Sequence, residues 1–486
     1  MKIADVFTSK KFIVGLLLIS ISMALLSLVH RETGTDDAWF AEQSYWFSKN
    51  GYVRSNLFDG LNNFGENHLT YHRLHVWQGA LMLKMYGWSS YAFKFILLTY
   101  FLIFLLAVYG FLKSNKIFTD SSQYVVFYSL SIAYSIMVLL IFTNRPDITV
   151  MTFGFLSFAK IYSSLNKQQT LKIIIAGLFA GLAVLTHLNG LVFVVAGGVL
   201  LLYAKNYRQF WYFGVTSCVV SLLYFIIIQD MSDVRLYLQQ MSRNPALSED
   251  DYSISGSLWK LLSSHKSYFH KGSDASYTLL FVMTFWWQRK RIFANEAARN
   301  TFIYFVSIAI TLALISPGYK SMYLVYHAPY AFILIALLYK EMFTLSVIRQ
   351  RAFAVLLCLY FLTQWGEVGF LFNKRTPGMS VMHENVSKSL GIEQGDRIIA
   401  PITFVFNEVE KYNIKTFHVY RLRGSRIAKS LEKEFFRLAS EDRRKYLILY
   451  DYDMEDMHIK DPVKGGRFGN YVYQGKYGPY HGFKHI

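Results

Sequence analysis

The sequence predicts a multi-pass α-helical membrane protein with a small α/β domain at its C-terminal end. Of the 486 residues, 53% are hydrophobic, 17% aromatic and only 17% charged, whereas about 25% of residues are charged in soluble domains. Apolar runs of roughly membrane-spanning length recur up to about residue 373, and a polar tail follows them. A backbone inside lipid must satisfy its own hydrogen bonds, so these runs are predicted to be helices.

Eleven apolar runs qualify as candidate spans, some of them short. They divide the chain into a transmembrane domain at 1–373, with large loops at 30–90 and 229–275, and an α/β domain at 374–486. The runs lie at 12–29, 91–112, 122–142, 148–165, 171–187, 189–204, 210–228, 276–288, 301–316, 321–339 and 352–372.

The distribution of basic residues predicts the orientation in the membrane. The formal net charge is +18, and the Lys and Arg residues fall largely in short clusters between apolar runs. Each predicted cytoplasmic segment carries at least two of them, whereas the short loops on the other side carry only Arg145 and Lys320. This positive-inside pattern is typical of membrane topology and does not indicate a nucleic-acid partner. It places the N-terminus in the cytoplasm and the two large loops and the C-terminal domain outside.

The polar tail alternates strand-like and helix-like segments. The strand-like runs are "DRIIAP", "IKTFHVY" and "KYLILYDY", and "SRIAKSLEKEFFRLAS" is helix-like. The Gly- and Tyr-rich end, "GGRFGNYVYQGKYGPYHGFKHI", is typical of turns and short strands. This alternation favours a small α/β domain.

Two adjacent carboxylates, Asp36 and Asp37, follow the first apolar run in "HRETGTDDAWFAEQSYWFSKNGYV". Thr35 or Asp36 could cap the start of a helix, and the helix dipole favours acids in the first turn, which explains these residues in part. We expect that helix to lie flat at the membrane interface, which would hold the acids where a lipid-borne substrate presents its polar head. The aromatic side chains expected to face the interface are Trp39, Phe40, Trp46 and Phe47.

The segment "DDAWFAEQSYWFSKNG" resembles the first-loop signature of polyprenyl-phosphate-dependent membrane glycosyltransferases of the GT-C type. This group includes the protein O-mannosyltransferases and the lipid A aminoarabinose transferases. The family pattern is Asp-Glu-Ala-x-Tyr-Ala-Glu, followed by a glycine. The matching positions here are Asp36, Asp37, Ala38, Phe40, Ala41, Glu42 and Gly51.

Other segments are similar to this family in the expected order, and the resemblance covers about residues 12–340. "NRPDITVMTFGFLSF" supplies Asp147, "GLAVLTHLNGLVF" has His187 where lysine is usual, and "SPGYKSMYLVYHAPYAFILIALL" supplies Lys320 and Tyr323. Two positions depart from the pattern. "YHRLH" stands where the family has Lys-Pro-Pro, and Trp39 replaces a basic residue.

The resemblance implies the transfer of a sugar from a polyprenyl phosphate to an acceptor hydroxyl. Two carboxylates would also suit a double displacement, but neighbouring side chains at a helix start diverge by about 100° and rarely lie on both sides of one bond, so we predict a single displacement with inversion. Asp36 is the predicted general base, and Asp37 is predicted to orient it or to bind sugar hydroxyls. A cation should stabilise the leaving phosphate, although headgroup contact or helix capping would also explain several candidates. The residues predicted to bind the donor phosphate or sugar are Asp147, Arg145, Lys320, Tyr323, His72 and Arg73.

The predicted partners are a polyprenyl-phosphate-linked hexose or pentose, an acceptor (lipid A, another glycolipid, a polysaccharide or a protein) and the lipid bilayer. The resemblance implies a bacterial inner membrane with a periplasmic active site. No cofactor is assigned. His68, His72 and His75 have helical spacing without a clear fourth zinc ligand, and a divalent cation at the acidic turn 248–253 stays an open alternative.

A membrane transporter or glycolipid flippase is the alternative function. Transporters typically show repeats, helices broken by Gly or Pro, and charges at the membrane midplane. This chain has only 8 prolines and keeps its polar residues near helix ends, which favours the enzyme.

Overall fold

The computed structural model describes residues 3–29, 34–165, 167, 169–242, 259, 262–315, 321–373, 378–424 and 431–486. Lys320 and the acidic turn 248–253 lie outside these ranges, so the predictions made for them are not addressed by the structure. Within the described ranges, a large helical bundle is followed by a mixed six-stranded sheet with short helices.

Helices cover each of the eleven predicted apolar runs and several segments between them. In chain order they are α1 (Ile3–Phe7), α2 (Lys10–Val29), α3 (Thr35–Asn50), α4 (Arg73–Tyr86), α5 (Ser90–Ser114), α6 (Ser121–Ala133), α7 (Ser135–Ile141), α8 (Asp147–Tyr162), α9 (Thr170–Thr186), α10 (Leu191–Tyr203), α11 (Tyr207–Leu222), α12 (Met231–Ser242), α13 (Gly272–Ala294), α14 (Glu296–Ile315), α15 (Ala328–Met342) and α16 (Val347–Asn373). Short 3-10 segments lie at Leu188–Gly190, Leu223–Phe225, Ser264–Phe269 and Ser321–Tyr326.

The helical part has the properties of a membrane bundle. Among the described helices, four are long and apolar enough to cross a bilayer alone, namely α2, α5, α14 and α16, and the bent pair α6–α7 adds a fifth if it forms one span. Large apolar side chains such as Leu106 and Trp211 are exposed on the bundle surface, as side chains that face lipid are. The multi-pass class is confirmed, while the number of about eleven spans stays a prediction.

The third apolar run is bent where α6 ends and α7 begins, by 66°. Tyr134 at the bend has extended backbone angles, so Ser135 loses its partner in the preceding turn. The side-chain oxygen of Gln364 accepts hydrogen bonds from the backbone N–H of Ser135, at 2.8 Å, and from its hydroxyl, at 2.7 Å. A polar side chain from α16 thus satisfies backbone that the bend frees inside the bundle.

The C-terminal segment forms one sheet in the order β2-β1-β3-β6-β5-β4. The parallel strands β1 (Arg397–Ile399), β2 (Asn413–Lys415) and β3 (Tyr446–Tyr450) form one half, and β4 (Arg467–Phe468), β5 (Tyr471–Tyr477) and β6 (Tyr480–His485) form an antiparallel half joined to β3. The accompanying helices are α17 (Met379–Leu390), α18 (Val405–Glu408), α19 (Phe417–Gly424), α20 (Leu431–Glu441) and α21 (Asp451–Asp456). A small α/β unit is therefore present, as predicted.

The sheet and the loop between α2 and α5 share one hydrophobic core. Ala38, Leu57 and Phe58 belong to the same buried cluster as the strand residues of β1 and β3. The backbone N–H of Thr416 donates to the carbonyl of Leu57 at 3.0 Å. The C-terminal segment is therefore fixed to the first large loop, and the predicted boundary between the two domains stays a prediction.

Two local expectations are wrong. In the run "IKTFHVY" only the first residues form a strand, and Phe417–Gly424 is a helix that packs Phe417 against Phe435, with ring centroids 5.0 Å apart. The aromatic side of α3 was expected at the membrane interface, yet Phe40 and Trp46 are buried inside the protein. Phe40 lies against His75, and the Arg54 guanidinium covers Trp46.

Candidate active site

The candidate site is built on the first turn of α3. The backbone N–H of Gly34, which precedes the helix, donates to the Asp37 carboxylate at 2.6 Å. This contact caps the helix, although neither Thr35 nor Asp36 is the cap as expected. At the other end Gly51 closes the helix with φ +78°, a left-handed conformation that strains other residues. Both ends of α3 are thereby fixed, and so is the direction in which Asp36 projects.

Asp37 attaches the loop between α7 and α8 to this helix. The backbone N–H of Asn144 donates to the Asp37 carboxylate, and the Asn144 side-chain amide donates to the Asp37 backbone carbonyl at 3.1 Å. Asp37 is only 2% exposed. Its carboxylate therefore holds backbone groups of two segments in place, and the predicted role toward Asp36 or the sugar stays a prediction.

Arg145 joins the two other acids of the site. Its guanidinium forms an ion pair with Asp36 and donates through Nε to Asp147 at 2.9 Å. The side chains of Asp36, Arg145 and Asp147 are 42%, 12% and 0% exposed. We call Asp36, Arg145 and Asp147 the carboxylate cluster. Asp36 is its member that is open to a ligand, and Asp147 is its fully buried member.

The contacts of Arg145 with Asp36 and Asp147 determine its pKa and the net charge of the cluster. Burial lowers the pKa of Arg145, but the charges of Asp147 and Asp36 outweigh burial and keep its pKa above the ordinary value. The hydroxyl of Tyr326 donates to Asp147 at 2.9 Å. Two carboxylates held by one guanidinium leave no excess positive charge here, so an anionic phosphate group needs a cation from elsewhere.

Tyr323 and His72 lie beside this cluster. Tyr323 stacks on Tyr326, with centroids 5.8 Å apart, and interacts electrostatically with Arg145. The rings of His72 and His187 stack at 4.3 Å. Burial, and then the neighbouring His187, lower the pKa of His72 well below its ordinary value, so it is a neutral imidazole. His72 can bond to a sugar hydroxyl but does not supply a cation at neutral pH.

Arg73 has a different set of partners. Its guanidinium donates to the backbone carbonyls of Tyr224, at 2.9 Å, and Leu69, at 2.5 Å. It also lies over the ring of Tyr71, 3.9 Å from the centroid, and is fully buried. These contacts connect α4 with the end of α11, and they give Arg73 a packing role that the sequence did not indicate.

The three histidines with helical spacing do not form a metal site. His72 precedes α4 and His68 lies outside it, where it stacks parallel to Trp39 at 6.1 Å, while His75 contacts Phe40. Among the described residues, no group of three or more His, Cys, Asp or Glu side chains is arranged to hold a metal ion.

Glu42, the last acid of the first-loop signature, is buried and holds the loop that follows α3. It accepts hydrogen bonds from the Ser55 hydroxyl at 2.6 Å and from the backbone N–H groups of Asn56 and Leu57 at 2.7 and 3.2 Å. Burial raises the pKa of Glu42 to about 7, against the opposite effect of these donors. The structure therefore assigns Glu42 to positioning the loop.

The structure has one cavity that includes Asp36 in its lining and another at the start of α13, and the sequence predicted neither of them. The first, called the α3–sheet cavity, has a volume of ≈ 370 Å³. One side is formed by residues at the start of α3 and the loop after it, and the other by the C-terminal segment. Its principal side chains are Asp36, Trp39, Phe58, Arg421, Tyr452 and Asp453.

The second cavity, called the α13 cavity, has a volume of ≈ 590 Å³ and lies at the start of α13. Its lining combines the apolar side chains of Ile136, Leu139 and Met322 with basic side chains and with the acidic residues Asp274 and Glu367. Met322 belongs to the segment Ser321–Tyr326, which also carries Tyr323 and Tyr326, the two tyrosines that lie beside the carboxylate cluster. The basic residues are Lys266, His270 and Lys271.

Comparison with known proteins identifies the fold. No protein-family model and no curated sequence matches the chain. Among solved structures, ArnT from Cupriavidus metallidurans in the apo state is 12% identical, with a TM-score of 0.59 over 98% of each chain. ArnT bound to undecaprenyl phosphate gives the same identity and score over 99% of each chain. An oligosaccharyltransferase from Archaeoglobus fulgidus, with Zn and sulfate, is 12% identical, with a TM-score of 0.56 over 90% of this chain and 68% of that one.

These likenesses extend over almost the whole chain and include the C-terminal segment for ArnT. At 12% identity they establish architecture, and the architecture is the one that the first-loop signature implied. The chain has the GT-C fold, which it shares with ArnT and with the Archaeoglobus fulgidus oligosaccharyltransferase.

Proposed function

We propose that this protein is a glycosyltransferase that moves a sugar from a polyprenyl-phosphate donor to a hydroxyl group of an envelope acceptor. The observation that carries the proposal is the placement of Asp36, a partly exposed carboxylate that is held by Arg145 and forms part of the wall of a cavity. The ArnT fold, which in one solved structure binds undecaprenyl phosphate, supports this class of donor. It also favours the enzyme over a transporter or flippase.

In the proposed reaction Asp36 takes the proton from the acceptor hydroxyl as its oxygen attacks the anomeric carbon. The bond between that carbon and the phosphate oxygen breaks, and the electron pair leaves with the polyprenyl phosphate. Arg145 holds Asp36 by an ion pair, and Asp37 holds the start of the same helix by accepting hydrogen bonds from Gly34 and Asn144. Because Asp36 is the partly exposed acid and Asp37 is buried, one base and a single displacement with inversion are favoured over a double displacement.

The leaving phosphate needs positive charge, and the α13 cavity supplies it in this proposal. Lys266, His270 and Lys271 line this space together with Asp274 and Glu367, and its apolar walls suit the isoprenoid chain of a lipid phosphate. Lys271 forms an ion pair with Glu367, so Lys266 is the principal candidate. Arg145, Asp147, Tyr323 and His72 are then better placed to contact the sugar.

The proposed location follows from the charge pattern of the loops. The positive-inside bias puts the N-terminus in the cytoplasm and the carboxylate cluster on the outer face. Together with the fold, this supports a bacterial inner membrane with the C-terminal sheet in the periplasm. Labelling of a cysteine introduced beside Asp36 by a membrane-impermeant reagent tests the orientation, and protection of that cysteine in intact cells would contradict it.

The function is tested by comparing Asp36→Asn with a matched variant. Asp120 is also a carboxylate at the start of a helix and is also ion-paired, with Lys340, but it lies at the α5–α6 connection. A strain lacking the gene is complemented with wild type, Asp36→Asn or Asp120→Asn, and its envelope glycans and glycolipids are analysed by mass spectrometry. We expect one sugar to be absent from the deletion strain, restored by Asp120→Asn and not by Asp36→Asn. Restoration by Asp36→Asn would show that Asp36 is not the base.

A further inference from the structure

We propose that the α3–sheet cavity binds the acceptor as an uncharged carbohydrate, with its attacking hydroxyl placed against Asp36. This inference rests on the proposed function, because it names the acceptor class of the same reaction. The cavity reaches the reacting group directly, since Asp36 forms part of its wall. Its volume of ≈ 370 Å³ falls in the range of about 300–1,000 Å³ found for small-molecule pockets.

The walls of the cavity combine aromatic rings with carboxyl groups. Trp39 and Phe58 lie together on one side, with ring centroids 5.1 Å apart, and Tyr452 lies on the other side. Flat apolar rings pack against the C–H faces of a pyranose, while carboxylate oxygens accept bonds from its hydroxyls. Asp36 and Asp453 provide those oxygens from opposite walls.

The charges of the cavity favour a neutral ligand over an anionic one. Arg421 is the one Lys or Arg in the lining that the structure describes, and Asp456 already binds its guanidinium at 2.9 Å. Burial, and then the nearby Arg421, lower the pKa of His418, which is therefore neutral at pH 7. Burial raises the pKa of Asp453 to about 7. A phosphate or carboxylate on the acceptor would face the Asp36 carboxylate and would find no unpaired cation among these lining residues.

The reaction balances with this placement. The acceptor hydroxyl loses its proton to Asp36, its oxygen forms the new bond to the anomeric carbon, and the polyprenyl phosphate departs with the electrons of the old bond. Asp453 is buried and accepts a hydrogen bond from the backbone N–H of Tyr450 at 2.9 Å. It is therefore a fixed partner for a second hydroxyl, which sets the orientation of the sugar ring.

Binding is measured by saturation-transfer NMR on the full chain in lipid nanodiscs, which avoids detergents with sugar headgroups. The probes are the methyl glycosides of glucose, galactose, mannose and N-acetylglucosamine, with glucose 1-phosphate as an anionic probe and a blocked Gly-Ser-Gly peptide as the other acceptor class. We expect a saturation-transfer signal, and hence binding, for at least one neutral glycoside. A signal only for glucose 1-phosphate or the peptide, or for none of the probes, would overturn the proposal.

Two variants locate the binding. Ile402→Trp fills the cavity, and its matched control Val463→Trp adds the same side chain at an exposed position away from it. We expect glycoside affinity to fall at least about tenfold in Ile402→Trp and to stay unchanged in Val463→Trp. Tyr452→Ala, at a half-exposed ring, tests the same wall without adding bulk. Equal binding in all these proteins would contradict the proposal.

The binding experiment needs no turnover, so its failure is separable from failure of the proposed function. If Asp36→Asn abolishes sugar transfer while Ile402→Trp and Tyr452→Ala leave acceptor binding unchanged, the transferase stands and this acceptor site is wrong. If neutral glycosides bind in the cavity while Asp36→Asn restores the envelope sugar, the assigned base is wrong instead.

Discussion

Asn144 donates two hydrogen bonds to Asp37. Its backbone N–H donates to the Asp37 carboxylate, and its side-chain amide donates to the Asp37 backbone carbonyl. This pair fixes the loop that carries Arg145 to the helix that carries Asp36. The adjacent acids of the first-loop signature therefore have separate tasks. Asp37 holds the geometry, and Asp36 faces the cavity.

The first prediction concerns this pair. Asp37→Ala leaves the N–H groups of Gly34 and Asn144 without an acceptor, and we expect a loss of about 2–3 kcal/mol in stability together with a fall in kcat. Asp37→Asn keeps an oxygen for one of the two donors and should recover part of both. Thermal unfolding in nanodiscs and donor turnover measure the two effects. If Asp37→Asn were as inactive as Asp36→Asn at wild-type stability, Asp37 would act on the substrate directly.

The second prediction concerns Arg145. Arg145→Met leaves the fully buried Asp147 carboxylate without its cation, which typically costs about 3–5 kcal/mol. Arg437 is the matched control, because it also bridges two acids, Glu434 and Glu441, but on an exposed helix face. We expect a large decrease in the melting temperature of Arg145→Met and none in Arg437→Met. Equal melting temperatures would show that the Asp147 carboxylate is not buried as described.

The helices were predictable because lipid imposes one requirement, a long apolar segment that satisfies its own backbone. Every apolar run coincides with a helix for that reason. The bend at Tyr134 was not predictable, because Gln364, which satisfies the freed N–H, lies far along the chain. In "IKTFHVY" the aromatic and β-branched composition favours a strand, yet packing of Phe417 against Phe435 is achieved by a helix.

For the site, the sequence identified residues but not their grouping. Asp36, Arg145 and Asp147 were each candidates from charge and position, and the structure brings them into one ion-paired cluster. The far wall of the α3–sheet cavity, with Arg421 and Asp453, gave no signal. No local pattern relates these residues to Asp36, since only the tertiary packing of the sheet on the first loop brings them together.

The third prediction is a pH dependence of stability from Glu42. Burial raises the pKa of Glu42 from 4.5 to about 7 in the folded protein. Between these values the folded state keeps a proton that the unfolded state has lost, so stability falls as pH rises through this interval, by about 3 kcal/mol. Glu42→Gln removes this decrease, whereas Glu42→Ala destabilises at every pH by stranding three loop donors. An unchanged pH profile in Glu42→Gln would contradict the assignment.

The fourth prediction distinguishes Arg73 from Lys266 as the cation that binds the donor phosphate. Arg73→Lys loses the planar contacts with two carbonyls and with the Tyr71 ring. We expect it to lower the melting temperature and leave the donor KM unchanged. Lys266→Gln, at an exposed position in the α13 cavity, should raise the donor KM about tenfold, the effect of one lost charged contact, without changing the melting temperature. The opposite result, a raised donor KM in Arg73→Lys at normal stability, would identify Arg73 as the residue that binds the phosphate. A substitution that weakens donor binding without lowering the melting temperature points to a residue that contacts the donor.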